Sequence, residues 1–99
     1  MSSASAVERA EMGITHSDFR RIFPRLVTDA TRAHIDLVSE VEWPGAQSLT
    51  VNVSREFTRK IALLRIPYVN ILLEFRGFDE LQRDDFMRRF DRAFHKGGG

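Results

Sequence analysis

The clearest hydrophobic pattern lies in the last third of the chain, where apolar and other residues alternate from residue 68 until Gly77. A period of two is typical of a β-strand, and a glycine commonly ends one. The alternation predicts a strand with one buried face. The residues predicted for that face are Val69, Ile71, Leu73 and Phe75.

A helix is predicted to follow this strand over residues 79–95. Asp79 and Gln82 have the spacing of a capping box, in which each side chain bonds the other residue's backbone N–H. Cationic residues near the end of the segment complement the helix dipole. The predicted buried stripe consists of Leu81, Phe86, Phe90 and Phe94, with Met87 and Ala93 on its flanks.

A second helix is predicted nearer the start of the chain. Thr15 and Asp18 have capping-box spacing, and apolar residues recur at helical spacing after them. Pro24 interrupts this pattern, because a proline inside a helix removes a donor and clashes with the preceding turn. The pattern predicts a short helix over residues 16–23, followed by a kink or a second short turn.

The middle of the chain has the pattern of a hairpin. Residues 34–43 alternate with one polar face, which is typical of an antiparallel strand. Residues 44–47 contain the Pro-Gly signal of a turn, and residues 49–54 alternate again. We therefore expect two paired strands here.

Residues 55–66 fit two patterns, a helical stripe and a strand. A short apolar run cannot be assigned from its period alone. We favour a turn around residues 56–58 and then a strand over residues 59–66, with Pro67 ending it.

These elements predict an α+β fold: an antiparallel sheet of three to four strands, with an N-terminal and a C-terminal helix packed on one face. The expected organisation is a disordered segment over residues 1–13, a single domain over residues 14–96, and a flexible glycine tail over residues 97–99.

Composition excludes several classes of function. The formal net charge is only +1, and the absence of cysteine excludes disulfides and thiolate chemistry within this chain. No apolar run approaches the roughly 20 residues of a membrane helix, and residues 1–13 lack an apolar signal core. We expect a cytoplasmic protein without a membrane partner.

The chain shows no catalytic, metal-binding or nucleotide-binding motif. His16, His34 and His95 lie far apart and lack the paired spacing of zinc ligands. The carboxylates within residues 34–43 fit the wet face of a sheet. We expect no enzyme activity, no metal and no cofactor.

Two surfaces are candidates for interaction. Arginines of the two helices would share one outer surface, and three apolar residues, Val38, Tyr68 and Leu72, would be exposed on the opposite sheet face. The candidate interaction residues are Arg20, Arg21, Arg25, Arg83, Arg88, Arg89, Arg92, Tyr68 and Leu72.

Three hypotheses for function follow. The first is a non-catalytic protein-interaction module or accessory subunit, whose partner is another protein or a second copy in a homodimer. The second is nucleic-acid binding through the arginine-rich helix surface. The third rests on residues 97–99, since a C-terminal Gly-Gly resembles the end of small ubiquitin-like sulfur carriers. That resemblance implies a terminal carboxylate that is adenylated and thiocarboxylated.

Overall fold

A computed structural model describes residues 4–95, which form six strands, two α-helices and a 3₁₀ turn. The strands are β1 (Ala4–Met12), β2 (Arg32–His34), β3 (Val38–Trp43), β4 (Gln47–Val53), β5 (Phe57–Ile61) and β6 (Leu64–Arg76). The helices are α1 (His16–Ile22), which continues into the 3₁₀ turn Phe23–Leu26, and α2 (Glu80–Phe94).

The strands form an antiparallel sheet in the order β1-β6-β4-β3-β2, with β5 paired to the early part of β6. β5 continues the line of β4 after a short connection over residues 54–56, so both pair with successive parts of β6. The long strand β6 therefore belongs both to the centre of the sheet and to the extension built with β5.

The helices and one face of the sheet enclose a single aromatic-rich core. Phe19 of α1 stacks on Phe94 of α2 with ring centroids 6.0 Å apart, and Phe75 of β6 meets Phe86 of α2 edge to face at 5.7 Å. The predicted inward face of β6 is confirmed, as are most residues of the α2 stripe. The buried members are Val69, Ile71, Leu73, Phe75, Phe86, Met87, Phe90 and Phe94.

Both predicted capping boxes are present. The Thr15 hydroxyl accepts the Asp18 N–H at 3.1 Å, and the Asp79 carboxylate accepts the Gln82 N–H at 2.8 Å. The break at Pro24 is also confirmed, because α1 ends before it and the chain tightens into the 3₁₀ turn. Local signals thus set the helix boundaries.

The α+β class and the antiparallel sheet are confirmed, but the expected three to four strands are too few. We expected residues 1–13 to be disordered, whereas residues 4–12 form β1. The helix α1 is therefore the second secondary-structure element of the described chain, after β1. β1 has few large apolar residues and is held by its backbone pairing with β6. The expected flexible tail over residues 97–99 lies outside the described residues.

The strand expected over residues 34–43 is in fact two strands, β2 and β3. Ser39 causes the reversal between them: its hydroxyl donates to the Asp36 carbonyl at 2.6 Å and accepts the Asp36 N–H at 3.0 Å. The Asp36 carboxylate also accepts the Leu37 N–H at 2.8 Å. Such local side-chain bonds favour turns over continued strands.

Three further expectations are wrong. Residues 57–61 form β5 and the chain reverses at residues 62–63, so the structure has neither the turn expected around residues 56–58 nor the single strand expected over residues 59–66. Pro67 lies inside β6 rather than ending a strand. It pairs with Thr58 on one side, and β1 pairs with β6 only from Val69 onward, so its missing N–H faces an open edge. Leu81 was expected in the core, but it is 82% exposed on the first turn of α2.

Candidate functional site

Residues 57–68 extend beyond the sheet as a two-stranded hairpin, which we call the arm. The β4 pairing with β6 ends at Val53 opposite Ile71, and the β1 pairing ends at Met12 opposite Val69. Past those positions β5 and the start of β6 pair only with each other. The molecule is accordingly elongated, measuring 50 Å by 21 Å by 21 Å.

The far end of the arm is apolar and exposed. Leu63 is fully exposed at 101%, and Leu64 is exposed at 64%. Ile61 and Ile66 are exposed at 50% and 38%. Scattered exposed apolar side chains are ordinary, but four clustered on one projecting element are typical of an interaction site.

The arm reverses through a two-residue loop, Ala62-Leu63, between the paired residues Ile61 and Leu64. Ala62 has a φ of 54°, in the left-handed region that two-residue hairpin loops require and that glycine usually fills. Alanine can adopt fewer backbone conformations than glycine, so the backbone at this position of the loop has less conformational freedom than a glycine would give it.

The arm is also cationic. It carries Arg59, Lys60 and Arg65 and no acidic residue. Lys60 pairs with Arg65 across the two strands, whereas Arg59 lies on the other face and forms an ion pair with Glu11 of β1. The arm therefore offers apolar contact and positive charge together.

Aromatic rings fix the base of the arm. Phe57 and Tyr68 stack with centroids 5.3 Å apart and planes 18° from parallel. The Arg55 guanidinium lies 4.1 Å from the Phe57 ring centroid, and that of Arg59 lies 5.5 Å from Tyr68. Stacking and cation–π contacts each stabilise such a pair by roughly 0.5–1.5 kcal/mol.

Polar contacts join this base to the rest of the domain. The His16 N–H at the start of α1 donates to Glu56 Oε2 at 2.8 Å, and His16 Nε2 lies 2.8 Å from the Ser54 carbonyl oxygen. The Asn70 N–H donates to Ser54 Oγ at 2.8 Å, and Asn70 Oδ1 accepts the Glu11 N–H at 2.8 Å. The connection over residues 54–56 is thereby tied to both α1 and β1.

The sheet face away from the helices, which we call the outer face, continues into the arm. Alternation along β6 puts Leu72, Tyr68 and Leu64 on the same side, opposite the buried Ile71 and Leu73. The register places Glu74 beside Thr50 and Glu40, and Leu72 beside Glu8 and Asn52. One surface thus runs from the carboxylates of the sheet to the apolar side chains of the arm, whereas Lys60 and Arg65 lie on the opposite face.

A cavity of about 510 Å³ opens on the outer face next to the base of the arm. Its volume is within the roughly 300–1,000 Å³ of typical ligand sites. The residues that line it are Glu8, Arg9, Ala10, Asn52, Val53, Ser54, Asn70, Ile71 and Leu72.

Two of the sequence-predicted interaction residues lie at this site. Tyr68 belongs to the aromatic base of the arm, and Leu72 lines the cavity. The site therefore brings these two together, away from the helix arginines.

The predicted arginines lie on the helical side, where carboxylates neutralise many of them. Arg83 lies 3.1 Å from Asp84, and Arg88 and Arg89 lie 3.3 Å and 3.4 Å from Asp85. α2 carries as many acidic residues as arginines. Arg25 and Arg92 are exposed in the 3₁₀ turn and on α2.

The α1 arginines also meet carboxylates. Arg20 lies 3.0 Å from Asp36, and the hydrogen bonds that this carboxylate accepts from the Arg20 guanidinium and from the Leu37 N–H lower the pKa of the Asp36 carboxyl below its usual range. Arg21 lies 3.3 Å from Asp18, whose pKa is lowered chiefly by the Thr15 backbone N–H. Opposite charges and donors favour the ionised carboxylate.

Other kinds of site are not found in the described residues. Over residues 4–95, His, Asp and Glu side chains form no group of three or more that could hold a metal ion. In the same part of the chain, no helix is long and apolar enough to cross a membrane. Comparison of the chain with protein-family models, curated proteins and solved structures gave no significant match.

The exposed apolar end of the arm was missed from the sequence. Its residues lie in the stretch that fitted both a helix and a strand, and Ala62-Leu63 carries none of the glycine, asparagine or aspartate signals of a tight turn. One signal was available: three cations interrupt the apolar run over residues 59–65. Charges at such positions are typical of exposed edge strands.

Proposed function

We propose that the protein is a non-catalytic interaction module that binds another protein through its arm. The observation that carries the proposal is the cluster of exposed aliphatic side chains around Leu63, on an element with no cover from the described part of the chain. Fully burying one leucine or isoleucine side chain contributes roughly 1.5–3 kcal/mol. A partner that covers Ile61, Leu63 and Leu64 would therefore gain binding free energy from the burial of all three side chains.

The rigidity of the base supports this function. The stack of Phe57 on Tyr68 and the contacts of His16 with Glu56 and Ser54 hold the arm in one direction. A binding element that is already ordered loses less conformational entropy when its partner docks. The arm is thus already folded in the free protein and does not need a partner in order to fold.

The test is capture of partners from a host lysate by the full chain and by two matched variants. L63S/L64S removes the apolar end of the arm, whereas L81S removes an equally exposed leucine from α2, away from the arm. We expect the first variant to lose the captured protein and the second to retain it, with both variants folded as judged by circular dichroism.

Nuclease treatment of the lysate separates protein partners from nucleic acid. A captured protein that persists after treatment and depends on Leu63 and Leu64 supports the proposal. Equal capture by L63S/L64S and the wild-type chain contradicts it, as does a signal that disappears with nuclease.

A further inference from the structure

The two faces of the arm differ in their chemistry. Side chains alternate along each strand, so the aliphatic residues of the paired strands share the face that continues the outer face. Those residues are Ile61, Leu64 and Ile66. Lys60 and Arg65 lie directly opposite each other on the other face, which we call the basic face, and the next pair along it, Thr58 and Pro67, is uncharged. The arm is therefore aliphatic on one face and basic on the other.

The two cations of the basic face have no counter-ion in the described part of the chain. Neither Lys60 nor Arg65 forms an ion pair there. The carboxylate nearest to them in the sequence, that of Glu56, already accepts the His16 N–H at 2.8 Å. Like charges directly opposite each other on neighbouring strands destabilise the pairing. An anion bound between the two side chains would remove this repulsion.

The end of the arm also has space for such an anion. A cavity of about 160 Å³ is lined by Lys60 and Arg65, by the loop residues Ala62 and Leu63, and by Leu64. Since one water molecule accounts for about 30 Å³ of liquid water, the cavity has room for a carboxylate and the methylene group that carries it. A single acidic side chain can therefore contact the cations and the exposed leucines together.

We infer that the protein partner of the arm is acidic, and that it places an aspartate or glutamate carboxylate between Lys60 and Arg65 while its apolar residues cover Leu63. The inference rests on the proposed function, since it states the chemistry of the partner of the same arm. Hydrogen bonds between cationic donors and a carboxylate are stronger than neutral ones. Complementary charge of this kind gives an interface its specificity and speeds the encounter of the two proteins.

Other anionic partners fit the arm less well. Nucleic-acid bases stack on free aromatic rings, whereas Phe57 and Tyr68 already stack on each other and carry the guanidinium groups of Arg55 and Arg59. Segments that bind anionic lipid typically have clusters of about four to eight cations, and the basic face has only two. Two cations beside exposed leucines match one carboxylate within an apolar protein surface.

The test compares two variants that each lose two positive charges. K60Q/R65Q removes the cations of the basic face, whereas R25Q/R92Q removes two cations from the helical side. All four side chains are exposed, and none forms an ion pair with the described residues. The variants therefore have equal net charge and differ in where the charge is lost, and circular dichroism checks that both are folded.

The probe is a short blocked peptide of alternating glutamate and leucine, titrated to about 1 mM into the full chain while its backbone amide signals are recorded by NMR. We expect the peptide to shift the signals of residues 60–65. It should bind R25Q/R92Q as well as the wild type and K60Q/R65Q at least about tenfold more weakly. A peptide with glutamine in place of glutamate should bind the wild type at least about tenfold more weakly, and added salt should weaken binding of the glutamate peptide.

Several outcomes overturn the inference. They are no binding of the glutamate peptide, equal binding of the glutamine peptide, and equal binding by K60Q/R65Q. Tighter binding of the wild type to vesicles of anionic lipid or to a single-stranded oligonucleotide would also overturn it. So would a K60Q/R65Q chain less stable in urea than the wild type, because the variant should be relieved of the repulsion between the two cations.

The lysate experiment separates this inference from the proposed function. A captured protein that is lost by both L63S/L64S and K60Q/R65Q, but retained by R25Q/R92Q, supports both. If L63S/L64S loses that protein and K60Q/R65Q retains it, the proposed function stands and only the acidic-partner assignment fails. If every variant retains it, both fail.

Discussion

Replacing Gly77 with alanine is expected to destabilise the domain more than the same change at Gly45. Both glycines have a positive φ, +77° and +81°, which an alanine adopts only at a penalty of about 1–2 kcal/mol. At Gly45 a Cβ would meet nothing within 4 Å. At Gly77 it would lie 2.6 Å from the carbonyl oxygen of Ala46, a backbone atom that cannot rotate away.

The size of the difference follows from that contact. Forcing a methyl group into a filled space typically adds about 1–3 kcal/mol to the conformational penalty. The expected loss of unfolding free energy is therefore about 1–2 kcal/mol for G45A and about 2–5 kcal/mol for G77A. In a domain of this size, each kcal/mol corresponds to about 4–8 °C in melting temperature.

Urea denaturation of the wild-type chain, G45A and G77A measures these losses, and an unchanged dependence on urea shows that unfolding remains two-state. A G77A chain no less stable than G45A would refute the reasoning. It would mean that the turn between β3 and β4 does not pack against the connection between β6 and α2.

Two further predictions concern polar contacts. D18N is expected to lower stability by about 1 kcal/mol at neutral pH, because it weakens the capping box with Thr15. Since the folded-state pKa of Asp18 is lowered from its ordinary value of 3.8, its contribution is complete above that value and is lost as the pH falls through the folded pKa. The stability gap between D18N and wild type, measured in urea, should thus be constant near neutral pH and close in acid; a gap independent of pH would contradict this. Arg9 binds Asp91 through two hydrogen bonds of 2.9 Å and 2.8 Å, so a double-mutant cycle of R9A and D91A should give a coupling of about 0.5–1 kcal/mol. A coupling indistinguishable from zero would show that this pair does not fasten β1 to α2.

The elements that were predictable from sequence are those specified by local patterns. The alternation around Leu73 and the capping boxes of Thr15 and Asp79 are signals within a few residues, and they were read correctly. Strand was also favoured correctly over helix for the stretch before Pro67, but the turn was expected around residues 56–58 instead of at residues 62–63, and the proline was wrongly expected to end a strand.

The features that were not predicted depend on contacts with residues that are distant in the sequence. β1 has little hydrophobic pattern of its own, and it is a strand because its backbone pairs with one side of β6. The reversal at Ala62-Leu63 and the exposure of Leu81 likewise follow from the fold rather than from residue type. The candidate site was only partly predictable, because Tyr68 and Leu72 were selected by alternation whereas Leu63 required the arm to be known.

The pairing of β1 with β6 has a consequence for how the domain is made. Ala4 lies opposite Arg76, so the residues that pair are up to 72 positions apart in the chain, from residue 4 to residue 76. During synthesis β1 leaves the ribosome long before its partner exists, while β2, β3 and β4 can already pair with their neighbours. Contacts so distant in sequence slow folding, because the loop between them must close before they form. Of the six described strands, β1 is synthesised before the others but is among the last to be paired, and until β6 is available its backbone donors and acceptors are free to bind another strand.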